Sequence, residues 1–164
     1  MKAQDVIKNQ LTSTQQILAM LVGDLSDADV LVRPVPGANT VAWQIGHLIV
    51  SEQGMGKESI PGVQYPELPA GFAEQHAMDK TAADPASGFK TKAEYLDLFN
   101  KTRQATIAAA AKMSDTDLDK PTTGQMADFA PTAAHMIGLT ASHTLMHAGQ
   151  FSVLRRKLGK PHVM

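Results

Sequence analysis

The sequence predicts an all-α chain built as a four-helix bundle. Four long segments carry apolar residues at three- and four-residue steps, which is the period of a helix with one buried face. No segment reads as a convincing strand. Clusters of Pro, Gly, Ser and Asp separate the four segments and act as breaks. Helices with one apolar stripe must bury it against each other, and four of them form a bundle most economically. The chain has 164 residues, which suits one domain spanning 1–164 with a sizeable core. It contains no internal repeat.

The first helix is expected over 3–24, with Val6, Ile7, Leu11, Ile17, Leu18 and Leu21 as its stripe. Gln10 and Thr14 fall within that stripe. Gly23 and Ser26-Asp-Ala-Asp29 end the helix and can start one short turn. Arg33-Pro-Val-Pro-Gly37 is extended, because each proline disfavours helical geometry in the residue before it. Asn39 or Thr40 caps a second helix over 40–56, which carries Trp43, Ile45, His47, Leu48 and Val50 and is weakened at its end by Gly54 and Gly56. Residues 57–90 form a long irregular connection, broken by Pro61, Pro66, Pro69 and Pro85, with room for one short helix around 71–78. Such a connection serves either as a lid or as a plain crossover linker. It also permits a topology other than simple up-down-up-down.

The third helix runs over 91–113 from a Thr91 cap, with Leu96, Phe99, Arg103, Ile107 and Ala110 as its stripe. Ser114-Asp-Thr-Asp-Leu-Asp119 and Pro121 break the chain again. The fourth helix spans 132–158, begins at a Thr132 cap and stops at Gly159-Lys-Pro161.

Composition narrows the function. The formal net charge is −1, which gives no electrostatic footprint for nucleic acid or an anionic membrane. No apolar run approaches the roughly 20 residues needed to span a bilayer. The polar start, Met1-Lys-Ala-Gln-Asp5, lacks the apolar core of a signal peptide, so a cytoplasmic location is the expectation. There is no cysteine, so a metal site here must use imidazole, carboxylate and water. Such ligands suit Zn, Ni, Fe, Mn or Cu.

The pattern richest in chemistry is the pair His143 and His147 in Ala141-Ser-His-Thr-Leu-Met-His-Ala-Gly-Gln-Phe151. Residues four apart on a helix project from one face, so the two imidazoles can grip one metal ion. His47, on the second helix, can complete a three-histidine set that leaves a coordination position open for water or substrate. Taken singly, each of these histidines also fits an ordinary core or surface position. Thr144 follows His143 where the zincin motif needs Glu, so no carboxylate base lies beside the pair.

Two stretches resemble a known family. Val35-Pro-Gly-Ala-Asn-Thr-Val-Ala-Trp-Gln-Ile-Gly-His-Leu48 is similar to the second-helix signature of the DinB-like (DinB/YfiT) metalloprotein superfamily. His143-Thr-Leu-Met-His-Ala-Gly-Gln-Phe-Ser-Val-Leu-Arg-Arg-Lys-Leu-Gly159 is similar to its final helix. The resemblance implies a four-helix bundle, commonly a homodimer, that holds a divalent metal through His47, His143 and His147. It implies Zn or Ni first, with Fe and Mn as alternatives, and a low-molecular-weight thiol as a cosubstrate in some members. Members with assigned activities include thiol-dependent S-transferases and isomerases, and others are described as metal-dependent hydrolases. The expectation is therefore a metal-dependent enzyme acting on a small molecule, with transferase slightly ahead of hydrolase. A non-catalytic metal- or small-ligand-binding bundle is the alternative. The family's DNA-damage naming implies no DNA chemistry.

Other polar residues accompany that set. A neutral three-histidine site leaves the metal's charge uncompensated, which favours activation of bound water or of a thiolate. Gln150 and Ser51, each about one turn from a ligand, can hydrogen-bond an imidazole or a bound water. Arg103, Gln10 and Thr14 sit mid-stripe, where polar groups need partners or a wet cavity. They either line a pocket above the metal, with Arg103 holding an anionic substrate group, or Arg103 snorkels to the bundle end. Glu52 points away from the His47 face. His135 belongs to the rim, His162 to a solvated tail, and His76 reaches the site only if the irregular connection folds over it. Trp43, Met20, Met113, Met136 and Met146 read as core, and Arg155-Arg-Lys157 as charges answering the helix dipole.

Overall fold

The computed structural model describes residues 2–80 and 88–163; residues 81–87, which hold Pro85, lie outside the described residues. The four long helices are α1 (Ala3–Val22), α2 (Val41–Ser59), α4 (Lys92–Ala110) and α6 (Ala133–Lys157). Between them lie two one-turn helices, α3 (Phe72–Gln75) and α5 (Asp115–Leu118). Short 3-10 turns occur at Asp29–Leu31 and Met78–Lys80. Among the described residues there is no strand, only an isolated bridge between Pro121 and Thr132.

Local chemistry accounts for the helix ends. Thr40 accepts a hydrogen bond from the Trp43 amide at 3.2 Å. Thr91 and Glu94 form a reciprocal capping box, as do Ser114 and Asp117. The second box turns the expected break after α4 into the short helix α5. Gly159, at φ 66°, closes α6: its amide and that of Lys160 return to the carbonyls of Arg156 and Arg155. Helix α2 runs past both glycines expected to weaken it. A Cβ on Gly56 would lie 1.8 Å from the Tyr65 hydroxyl, so this glycine admits the returning connection and does not end the helix.

The expected departure from simple up-down packing is present, but its origin differs. Helix α1 packs against α6 and α4, and α2 packs against the same two. The diagonals of the bundle are therefore α1 with α2 and α4 with α6. The chain crosses the bundle at residues 23–40 and 111–132, whereas the irregular connection joins neighbours, α2 and α4. Its described residues pack on the bundle: Gln53 donates to the Pro66 carbonyl, and Phe72 is buried against α2 and α4.

The core has two apolar parts. One gathers Leu18, Ile45, Ile49, Phe99, Phe151 and Leu154, and the other Leu11, Ile60, Ile107, Met113 and Ile137. Each such side chain contributes about 1.5–3 kcal/mol when fully buried. A polar layer separates them. Arg103, 0% exposed, lies one turn from Phe99 and one from Ile107. Its Nε donates to Glu52 at 2.9 Å, and its Nη2 to Glu52 and to Thr144. Its Nη1 donates to the Leu11 carbonyl and to Thr14. All five N–H groups are thus used, on partners from α1, α2 and α6, so one guanidinium ties all four long helices together.

Several expectations are corrected. Arg103 neither snorkels nor faces an open pocket, because Glu52 neutralises it inside the core. Met20 and Met146 are 47% and 66% exposed and are not core filler, unlike buried Met113 and Met136. Tyr95 is buried while its neighbour Leu96 is only half-buried, a one-residue shift of the α4 stripe. Arg155 answers more than the helix dipole: it is buried, pairs with Asp24 and donates to the Leu21 and Pro161 carbonyls.

Candidate metal centre

Helices α2 and α6 are neighbours, and their contact brings His47, His143 and His147 together with one nitrogen of each ring within 4.8 Å of the others. The pairing within α6 follows from helix geometry: the Nε2 atoms of His143 and His147 lie 3.1 Å apart. Only the tertiary fold supplies His47, whose ring stands edge-on to His143 at a centroid distance of 5.2 Å.

The tautomers follow from the partners. His47 Nδ1 lies 3.2 Å from the carbonyl of His76, which can only accept, so Nδ1 carries the proton and Nε2 is free as a lone pair. His147 Nδ1 lies 2.7 Å from Gln44 Oε1. The Gln44 amide nitrogen donates to the Asn39 carbonyl, which fixes its oxygen towards His147. His147 Nε2 is therefore also a lone pair, and His143 Nε2–H donates to it. Trp43 stacks on His47 at 4.9 Å with the planes 7° apart, which fixes the ring's tilt.

Burial sets the charge state. It pushes His143 down to about 4, helped by repulsion from His47. It pushes His147 down to about 3, with repulsion from His143 and then His47 adding to it. Burial also lowers His47, opposed by the hydrogen bond to the His76 carbonyl. Near neutral pH all three rings are uncharged, which is the form that ligates metal.

Three nitrogens around a tetrahedral zinc at about 2.0–2.1 Å lie roughly 3.3 Å from one another. The observed set needs only a small closure of His47 to meet that, and transfer of the His143 proton to Nδ1. The residues present therefore fit a divalent ion.

The cluster opens on a cavity of about 460 Å³. Helix α2 gives it His47, Ser51 and Met55, and α6 gives Leu139, His143 and Met146. Met78, from the turn after α3, and Met126 and Phe129, from the loop before α6, complete the wall. Ser51 Oγ lies 3.4 Å from His47 Nε2 and so borders the place where the three nitrogens converge.

The other candidates lie elsewhere. Thr14 and Arg103 belong to the buried network, away from the cavity lining. Gln10 is exposed and lines a separate shallow groove between α1 and α6. Gln150 is exposed on α6. His135 is exposed beside its Thr132 cap. His76 does come over the site, but through its backbone. Its ring is buried, with Nδ1 donating to the Phe72 carbonyl and Nε2 accepting from the Tyr95 hydroxyl.

Sequence reasoning missed Gln44 as the partner of His147 and Glu52 as the partner of Arg103. Each had a signal. Gln44 is an amide between Trp43 and Ile45 on an apolar helix, three residues before His47. Glu52 is a carboxylate that the helix turns inward, and a buried arginine needs such a partner.

The sequence matches the DinB superfamily over residues 10–151, and the chain belongs to that superfamily. Two solved structures are similar. A Bacillus subtilis protein, YfiT, described as a probable metal-dependent hydrolase with an unusual four-helix bundle topology, aligns with a TM-score of 0.68 at 17% identity, covering 96% of this chain and 89% of its own. A conserved protein from Enterococcus faecalis aligns with a TM-score of 0.68 at 14% identity, covering 98% of this chain and 99% of its own. At these identities the likeness establishes the fold. Comparison with curated proteins gives no match.

Proposed function

We propose that this DinB-superfamily chain is a divalent-metal-dependent enzyme that hydrolyses a small molecule, with His47, His143 and His147 as the metal ligands. The observation that carries this is the convergence of three uncharged imidazoles, two of which, His47 and His143, line a cavity. Such a set leaves coordination positions for water and substrate. A divalent ion there supplies Lewis acidity and makes a coordinated water or thiol more acidic. The description of YfiT as a probable metal-dependent hydrolase favours the same reading.

The chain's own residues have separate parts. The Gln44 amide and the His76 carbonyl hold the rings of His147 and His47 in the ligating tautomer. Ser51 is placed to exchange a hydrogen bond with a substrate oxygen or a water beside His47. The methionine and phenylalanine wall limits water around the reacting bond.

A second reading, thiol-dependent S-transfer, draws on the lining itself. The described residues of the cavity wall include no carboxylate to serve as a general base. A thiolate needs none. A homodimer belongs to the same reading and is checked by sedimentation of the full chain. Zn or Ni is the expected ion.

Elemental analysis after loading tests the assignment. Wild type should hold one ion per chain, and His47→Ala, His143→Ala and His147→Ala should each lose tight binding. Full stoichiometric metal in all three variants refutes it. Turnover of esters and amides against turnover of thiols with an electrophile then separates the two reactions.

A further inference from the structure

The cavity over the histidines also says what kind of molecule it takes. We infer that its ligand is a small molecule with an uncharged aliphatic or aromatic body and one polar end that faces His47, His143 and Ser51. This rests on the metal reading above and goes beyond it to the substrate class.

The chemistry of the wall carries the inference. Its polar groups are gathered at one place, the two imidazoles and the Ser51 hydroxyl, and every other lining side chain is Met, Leu or Phe. No lysine, arginine, aspartate or glutamate is among the described lining residues. An anionic or cationic body would leave water there for no paired charge, which is unfavourable. An apolar body gains from the same transfer. Two arginines are buried: Arg155 lies near the end of α6, paired with Asp24 and outside the cavity lining, and Arg103 has all its N–H groups already used inside the core, so neither serves an anionic ligand here.

The size is also informative. About 460 Å³ lies within the range of small-molecule sites, and exceeds the roughly 150 Å³ that holds one benzene. Three of the apolar walls, Met78, Met126 and Met146, are methionines exposed by 75%, 40% and 66%. Unbranched thioethers adapt to ligands of different shape, and they sit at the rim where a ligand's body would lie. Phe129 shares that lining and is 72% exposed. Four large apolar side chains around one concave mouth are more than a monomer's scattered surface apolars explain.

Binding of n-alkanohydroxamates, from acetohydroxamate to octanohydroxamate, to the zinc-loaded full chain tests this by calorimetry. The hydroxamate end occupies the metal, and the chain length reports the wall. Affinity should rise about two- to fourfold per methylene over the first several carbons. Phe129→Ser and Met146→Gln should flatten that rise while leaving acetohydroxamate affinity and zinc stoichiometry unchanged. Affinity independent of chain length overturns the inference and leaves the metal assignment standing. Chain-length dependence untouched by both variants also overturns it. If zinc does not bind, the metal assignment falls, and n-alkanols from butanol to octanol then probe the wall directly. Binding that strengthens with length and weakens in Phe129→Ser supports the apolar site; no such trend overturns it. Sedimentation on the same samples covers a second copy as the occupant. Octanohydroxamate that splits a dimer into monomers places a partner chain on the rim and overturns the small-molecule assignment.

Discussion

Replacing Arg103 by Met should destabilise the bundle strongly, and the structure sets the size of the effect. The substitution keeps an unbranched stem of similar length against Phe99, whose ring centroid lies 5.1 Å from the guanidinium carbon. It removes every hydrogen bond that the guanidinium makes. Glu52, 1% exposed, is left with only Thr106 as a donor at 2.7 Å. Breaking a buried ion pair from one side costs about 3–5 kcal/mol, because the remaining charge has neither water nor a counter-ion. With an unfolding entropy of about 2.1 cal/mol/K per residue over 164 residues, that corresponds to a fall in Tm of roughly 9–15 °C. The double variant Glu52→Met with Arg103→Met removes both charges and should recover most of the loss. Urea and thermal unfolding of the wild type, the two single variants and the double variant form the cycle. Zinc affinity is measured in parallel and should be unchanged in any variant that folds. An Arg103→Met protein as stable as wild type, or more so, refutes the reasoning. It would mean that the guanidinium's desolvation outweighs everything it joins.

Three further outcomes follow from other parts of the molecule. The folded histidines have depressed pKa values, so below about 6.5 the unfolded chain takes up protons that the native site refuses. Stability without metal should therefore be fully present above pH 6.5 and fall as pH drops towards 4 and then 3, by about 1.4 kcal/mol per pH unit for each histidine involved. Urea midpoints at pH 7.5, 5.5 and 4.5 check this, and a His143→Asn, His147→Asn double variant should flatten the profile; an equally steep profile in that variant counts against it. Gln44→Leu removes the acceptor that fixes His147 and should weaken zinc binding about 10–100-fold with the fold retained, measured by competition with a chelating dye. Unweakened binding would deny Gln44 its positioning role. Gly46→Ala would drive a Cβ to 2.1 Å from the His76 ring and should cost about 1–3 kcal/mol, whereas Gly54→Ala meets nothing within 4 Å and should stabilise α2 by up to about 1 kcal/mol. Thermal midpoints of both variants decide it, and a neutral Gly46→Ala would show that His76 is not held against α2.

Gly46 also shows where local pattern stops being informative. By propensity alone it is a poor helix residue, and nothing else in the pattern singles it out. In the fold it is the gap against which His76 packs, so that the His76 carbonyl can meet His47 Nδ1. The same holds for Gly56 and Tyr65. A close approach between segments distant in sequence leaves no periodic trace.

Periodicity and local side chains are enough to read the four long helices, most of their caps and the face shared by His143 and His147, because these depend on a 3.6-residue period and on contacts within one turn. The sequence also marked Arg103 and Thr14 as polar residues needing an explanation. Which helices are neighbours, and hence that His47 meets the α6 pair, that Glu52 neutralises Arg103, and that Gln44 rather than Gln150 orients His147, was decided only by tertiary packing. The stripe on a helix says that a face is buried; it does not say against which partner. In a bundle whose links cross the diagonals, that choice is made by how four surfaces interlock.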